Sequence, residues 1–405
     1  MVETFKPSDV EALREVVAWA AAETKRLEIR GGGSKRDLGR PIATDYAVDL
    51  GGLSGVGLYE PDELVLSAGA GTPLAEIEGL LAQNRQQLAF EPADLSRLWG
   101  DAAAQTLGGV LATNLSGSRR IKAGAARDHF LGFEAVTGRG ETIKSGGRVV
   151  KNVTGYDLSK LIAGSFGTLA VLSQVTVKVL PAPEKVRTVL VYAQSYADGI
   201  EALALAAGSP HEVSGLAHLG AATAIRSSVD YVAGTASSVT AIRIEGPAPS
   251  VAHRCEALRA MFQAAATVEE LHGANSAVFW REVTDVADLL MPGGGIVWKL
   301  SLTPSAAPAV VAGITDAIGG EAFYDWAGGL VWLCLPRADD ACAEVVRGAV
   351  GEAGHATLIR AQPEVRARVP VFQPQAAALA RLTARVKQSF DPVGILNPGR
   401  MYEGV

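Results

Sequence analysis

A chain of 405 residues, 48% hydrophobic and 20% charged, is long and apolar enough for two or three cores of ordinary domain size. Its formal net charge of −6, with no basic tract, excludes an electrostatic footprint for nucleic acid. Apolar stretches such as 306–314 and 330–335 break well short of the ~20 residues that cross a bilayer, and residues 1–9 lack the basic head and apolar run of a secretory signal, so a cytoplasmic protein without a transmembrane segment is expected.

In chain order, Ser8 is placed to cap a helix whose apolar residues Val10, Leu13, Val16, Val17 and Ala20 keep helical spacing, and a short strand follows at 27–29. Strands are expected at 46–50, 56–59 and 63–68, and Thr72 with Pro73 opens a helix through Leu81. The stretch 95–124 is rich in small residues, and its apolar spacing specifies no single element. Strands resume at 129–137 and 169–180. Pro181 and Pro183 then punctuate the chain and mark the expected domain boundary.

Beyond the boundary the pattern is strand 189–193, helix 198–207, strands 213–218 and 238–244, and helix 251–262. After a Trp280-containing stretch expected to be irregular, it repeats as strand 296–302, helix 307–318, strands near Ala322 and Val331, helix 340–350 and strand 355–360. Two βαββαβ-like halves predict an α/β, ferredoxin-like unit with a sheet against helices, and the fold class as a whole is α+β.

Glycine, 45 residues against the ~7% usual in proteins, concentrates in a few loops. Arg30-Gly31-Gly32-Gly33-Ser34-Lys35 directly follows a strand, and three glycines let backbone N–H groups converge on an anion such as a diphosphate; the alternative is a tight solvent loop. Polar residues follow it, so it is no Rossmann fingerprint, and Gly69-Ala70-Gly71 lacks the third glycine that such a site needs. Thr106-Leu107-Gly108-Gly109-Val110-Leu111-Ala112-Thr113-Asn114 permits close approach of backbone to a flat ligand, or else a closely packed helix start. Gly164-Ser165-Phe166-Gly167-Thr168-Leu169, taken singly, is a strand-leading turn.

The order of these motifs, with Pro92, Gly124, Arg127-Asp128, the run Lys151 to Leu158, and Phe390 to Gly399, resembles the FAD-linked oxidase family typified by vanillyl-alcohol oxidase. Within it the chain resembles the FAD-binding subunits of bacterial glycolate oxidases. It implies a PCMH-type two-part FAD-binding domain over 1–183, a cap domain over 184–380, and a segment, 381–405, that returns to the FAD domain. It implies that Gly31 to Lys35, flanked by Arg30, hold the pyrophosphate, and that Thr106, Leu107, Gly108, Gly109, Ala112, Thr113 and Asn114 with Pro92 line the flavin and ribityl chain. Gly167 to Leu172 would lie near the adenine, and Lys151 and Asn152, with Gly155 in the same run, near the ring.

Ser34 stands where many relatives carry a flavin-linking histidine, and no cysteine lies in the FAD half, so the FAD is expected to be non-covalent. The His-x-Gly-Asp-Gly-Asn-x-His metal motif of hydroxy-acid dehydrogenases in the family is absent, the six histidines are scattered, and no metal site is expected. Cys255, Cys334 and Cys342, odd in number and without a CxxC pair, fit neither a disulfide framework nor a zinc or iron–sulfur site. No catalytic base is identifiable. Arg281, Arg360 and Arg400 are candidates for a substrate carboxylate, Trp280 for a pocket wall, and Lys151 or Arg400 for the positive group at the flavin pyrimidine. The resemblance implies a subunit that oxidises glycolate or a similar 2-hydroxy acid such as D-lactate, with a second FAD- and metal-bearing catalytic subunit and an iron–sulfur subunit as partners. It would lie in the cytoplasm, or at the inner face of the membrane through those partners. A free-standing flavin dehydrogenase and a non-catalytic structural subunit are the alternatives.

Overall fold

The computed structural model describes residues 2–100, 103–147, 155–289, 294–352 and 354–405. Near the N-terminus, strand β1 (Glu3–Phe5) pairs in parallel with β3 (Tyr46–Asp49), which pairs with β2 (Leu27–Arg30). Helix α1 (Val10–Ala22) buries Leu13, Val17 and Ala20 against this sheet. Its cap is Asp9 rather than Ser8: the Asp9 Oδ1 accepts from the Ala12 N–H at 2.8 Å, and a carboxylate there also meets the positive helix end.

Strands β4 (Val56–Glu60) and β5 (Val65–Gly69), then β6 (Phe130–Thr137), β7 (Thr142–Gly146) and β8 (Ala170–Lys178), form an antiparallel sheet ordered β4-β5-β8-β6-β7. Helices α2 (Leu74–Gln83) and α3 (Leu107–Thr113) lie on it, burying Leu74, Ile77, Leu81, Leu107, Val110 and Leu111 against Leu66, Ala68, Leu172 and Val175. Thus 95–124 does hold ordered elements, α3 and single helical turns at Ser96–Trp99 and Arg120–Ala123. They are too short to show apolar periodicity.

After Pro183 the chain builds one eight-stranded antiparallel sheet. Its first half is β9 (Lys185–Tyr192), α4 (Tyr196–Ala207), β10 (Gly215–Leu219), β11 (Val239–Gly246), α5 (Ala248–Phe262) and β12 (Val268–His272). Helix α6 (Gly273–Asp285) follows, and the second half is β13 (Ile296–Ser301), α7 (Ala307–Ile318), β14 (Glu321–Asp325), β15 (Leu330–Leu335), α8 (Ala343–Val350) and β16 (His355–Arg360). The strand order β12-β9-β11-β10-β14-β15-β13-β16 is two βαββαβ units joined edge to edge, with His218 opposite Tyr324 and Leu219 opposite Phe323.

One face of this sheet buries Ile242, Trp298 and Tyr324 beneath α4, α5, α7 and α8. The other packs Leu190, Phe323 and Trp332 against α6 and against Leu38, Leu95 and Leu98 of the N-terminal unit. The Trp280 stretch expected to be irregular is therefore the regular helix α6. Its buried positions Ser276, Phe279, Trp280, Val283 and Thr284 have helical spacing, but two are polar, which dilutes the apolar signal.

Helix α9 (Ala377–Phe390) brings the chain back to the N-terminal unit. The buried Asp391 carboxylate accepts from the N–H groups of Gly394, Ile395 and Leu396 and from Lys387 Nζ, which also donates to the Thr168 and Leu396 carbonyls. The tail then runs beside β2, where Leu27 N donates to the Ile395 carbonyl at 2.8 Å and Asn397 N to that of Leu27 at 3.0 Å.

Candidate FAD site

The glycine loop leaves β2 into a cavity that opens to solvent. Its walls come from that loop, from α3, from residues 165–172 and from the returning tail. Glycine is required by close approach: a Cβ on Gly31 would meet Thr106 Oγ1 at 2.3 Å, and one on Gly32 would meet the Ala104 carbonyl at 1.9 Å. Gly33 has φ +90°, a conformation open to glycine at little cost. Thr106 caps α3 by accepting from the Gly109 N–H, so the tight loop and the helix start hold each other.

Two chains of contact lock this cradle from behind. Asn397 Oδ1 accepts from the Ile29 N–H at 2.8 Å while its Nδ2 donates to the Phe166 carbonyl at 2.8 Å. The buried Arg400 guanidinium donates to the carbonyls of Lys35 and Arg36 at 3.0 and 2.7 Å, and burial lowers it to about 10. Arg400 thus braces the loop through Nη2 while also lining the cavity. Lys35 donates to Gln105 Oε1, and burial lowers its ammonium to about 8 against the opposing pull of Asp94 and Asp285. The buried Ser165 hydroxyl lines the cavity with no hydrogen-bond partner among the described residues, a group that wants a polar ligand. A glycine-floored pocket with a lysine and an unsatisfied hydroxyl fits a dinucleotide diphosphate and its polar linker.

Of the residues marked in the sequence, Arg30, Gly31, Gly32, Gly33, Ser34, Lys35, Thr106, Gly108, Gly109, Ala112, Thr113, Gly167 and Leu172 line this cavity. Arg30 itself is held by Thr4 and Glu28. Four lie elsewhere. Leu107 points into the core, Asn114 takes the left-handed position ending α3 and accepts from the Arg127 N–H, and Gly155 is exposed. Pro92 lines a separate cavity with Glu91, Arg119, Arg243 and Trp280. Lys151 and Asn152 lie outside the described residues. Ser165 and Asn397 line the cavity too, although only their presence within shared motifs hinted at it.

The other candidates are occupied. Arg281 pairs with Asp285 at 2.6 Å, Arg360 donates to the Gly295 carbonyl, and the Trp280 indole donates to Thr188 Oγ1 beneath the Arg243 guanidinium. Beside Pro92 four charges, Arg243 buried and the others largely so, join the two units: Arg243 Nη1 meets Glu91 Oε1 at 2.7 Å, and Arg119 pairs with Glu245 at 2.5 Å and with Glu91 at 3.3 Å. Among the described residues no three His, Cys, Asp or Glu side chains converge as a metal site, and no helix is long and apolar enough to cross a membrane.

Residues 3–146 match the family described as FAD binding domain. In fold, p-cresol methylhydroxylase with substrate bound has a TM-score of 0.71 at 14% identity, over 98% of this chain and 88% of that one. The chain is an FAD-binding protein of the PCMH-type α+β fold. Glycolate oxidase subunit GlcE of Escherichia coli (strain K12) is 35% identical over 392 residues, 97% of each chain. D-lactate dehydrogenase of Archaeoglobus fulgidus is 33% identical over 177 residues, 44% of this chain and 38% of that protein. The chain belongs to the family of glycolate oxidase subunit GlcE.

Proposed function

We propose that this chain is the FAD-binding subunit of a complex that oxidises glycolate, or a similar 2-hydroxy acid such as D-lactate, to the 2-oxo acid. The observation that carries the reading is similarity to a glycolate oxidase subunit over 97% of both chains, joined to a cavity whose glycine floor suits a diphosphate. Bound FAD supplies the chemistry, accepting a hydride equivalent and passing electrons onward. The protein's part is to bind and position it: Gly31 to Lys35 for the pyrophosphate, Thr106 to Thr113 for the flavin and ribityl chain, and Gly167 to Leu172 for the adenine end. The FAD is held without a covalent bond, since no His, Cys or Tyr among the described residues lines the cavity. Functional units would be 1–183, 184–380 as a cap, and 381–405 returning to the first.

Partners of the stated chemistry, a second FAD- and metal-bearing subunit and an iron–sulfur subunit, would complete the reaction in the cytoplasm, at the inner face of the membrane if the partners bind there. The test is purification from the native host with neighbours attached, scoring subunits, flavin and dye-coupled turnover of glycolate and D-lactate. The complex should turn over while the isolated FAD-loaded chain does not. Equal turnover by the isolated chain would reduce the protein to a free-standing dehydrogenase, and absence of flavin would leave a structural subunit.

A further inference from the structure

Where the eight-stranded sheet meets the N-terminal unit, two cations stand together outside any ion pair among the described residues. Lys299 on β13 faces away from the buried Trp298, with Nζ 5.2 Å from the Trp326 ring centroid and 5.8 Å from that of Trp332. Arg120, from the segment that follows α3, lies over Trp326 at 4.4 Å. Both are half-buried, and neither forms an ion pair or hydrogen bond with another described residue. Desolvating a cation without an acceptor is costly, and two beside each other more so. Beside them lies the buried Asp325, whose Oδ2 accepts from Ser118 Oγ at 2.7 Å and whose Oδ1 accepts from the Trp326 N–H at 2.7 Å. The Trp326 indole donates to the Gly117 carbonyl at 3.0 Å.

The local charge does not balance. Glu91 and Glu245 cancel Arg119 and Arg243 in the neighbouring network, and Arg127 pairs with Asp128. That leaves Lys299 and Arg120 against Asp325, one positive charge in excess, which a monoanion would neutralise. Burial raises Asp325 to about 7, against the opposing effect of Ser118 and the Trp326 N–H, and burial with Arg120 lowers Lys299 to about 8. The lowering of Lys299 is what burial beside a second cation produces. The turn also holds strain: Trp326 and Ala327 take consecutive left-handed conformations, φ 50° and 57°, which non-glycine residues adopt at a cost and which concentrate at functional sites.

We propose that Arg120 and Lys299, with Asp325 and Ser118 beside them, form a binding site for a small monocarboxylate bearing a hydroxyl, the two cations taking its carboxylate and Asp325 accepting its hydroxyl. Ser118 follows the cavity-lining Thr113 by five residues, a span of at most about 18 Å, so the site lies within reach of the dinucleotide cavity. The assignment rests on the proposed function for the identity of its ligand, glycolate or D-lactate. It differs from the arginines marked in the sequence, each of which is already engaged.

The test is calorimetric titration of the full FAD-loaded chain with glycolate, acetate, ethylene glycol and inorganic phosphate, with flavin content and far-UV circular dichroism recorded for every variant. Glycolate should bind at one saturable site and ethylene glycol, lacking the carboxylate, should not. Lys299→Met and Arg120→Met should each weaken glycolate at least tenfold with flavin content unchanged, and Lys299→Arg should restore most of the affinity. Asp325→Asn should weaken glycolate but leave acetate, which lacks the hydroxyl, within twofold. Glycolate affinity within twofold of wild type in both methionine variants would overturn the site, as would wild-type protein that binds phosphate there but not glycolate. Failure of the functional reading looks different: the native complex would then not turn over glycolate at all, whereas turnover with unchanged KM in Lys299→Met would keep the function and remove this site.

Discussion

Substituting Glu91 tests how the eight-stranded sheet is held against the N-terminal unit. Its carboxylate accepts from Arg243 at 2.7 and 3.1 Å and from the Arg119 N–H at 2.6 Å, and Arg243 is 1% exposed. Glu91→Gln removes one negative charge and leaves two guanidinium groups sharing Glu245. Breaking a buried pair by removing one partner costs ~3–5 kcal/mol, because the remaining charge is uncompensated. Arg243→Met should cost a similar amount for the converse reason, and it also removes the cation over the Trp280 ring at 4.5 Å. The double variant keeps Arg119 with Glu245, a neutral pair, so its cost should be little more than either single one. For a unit of this size ~2–4 °C accompanies each kcal/mol, giving a fall in melting temperature of roughly 6–20 °C for each single change. The assay is thermal unfolding of the FAD-loaded protein, followed by circular dichroism and by flavin fluorescence, for the four members of the cycle. Strictly additive losses, or single losses under 1 kcal/mol, would refute the view of these charges as one coupled network.

Gly32→Asp should abolish flavin loading, since a Cβ there meets the Ala104 carbonyl at 1.9 Å and a negative charge enters the proposed diphosphate site; normal FAD occupancy would remove the loop from the site. Acid precipitation should release the flavin, about one FAD per chain, into the supernatant, and colour retained on the protein would reveal a covalent bond. Acid should also loosen the junction between the eight-stranded sheet and the N-terminal unit. Burial pushes Glu245 up, but Arg243 and Arg119 outweigh it and hold the carboxyl at about 2. Its folded value lies below the unfolded one, so this stabilisation is present above pH ~4.5 and is lost as pH falls toward 2, up to ~3 kcal/mol. Melting temperature measured from pH 6 to 2 should fall less steeply in Glu245→Gln, and parallel curves would contradict the assignment. Replacing Cys255, Cys334 and Cys342 together by alanine should leave flavin bound, because none lines the cavity; loss of FAD with the fold intact would show otherwise.

The parts of the site that were legible in the sequence are those whose chemistry is local. Three successive glycines after a strand report a backbone that something must approach closely, and Thr106 before Leu107 reports a helix cap; both signals reside in adjacent residues. The βαββαβ alternation is local in the same way, since period 2 and period 3.6 can be read without knowing which strands pair. Pro92 and Asn114 belong to the shared motifs but face away from the cavity, because a motif records co-occurrence and does not say which way a side chain turns. What only the tertiary structure decided is the set of partners. Asn397 reaches Ile29 across 368 positions, Arg243 reaches Glu91 across 152, and Lys299 comes to share the Trp326 ring with Arg120 only where the eight-stranded sheet meets the N-terminal unit. A charged residue reads identically in sequence whether it faces water or a buried counter-ion. The difference is made by desolvation, which depends on the surfaces that the fold brings together.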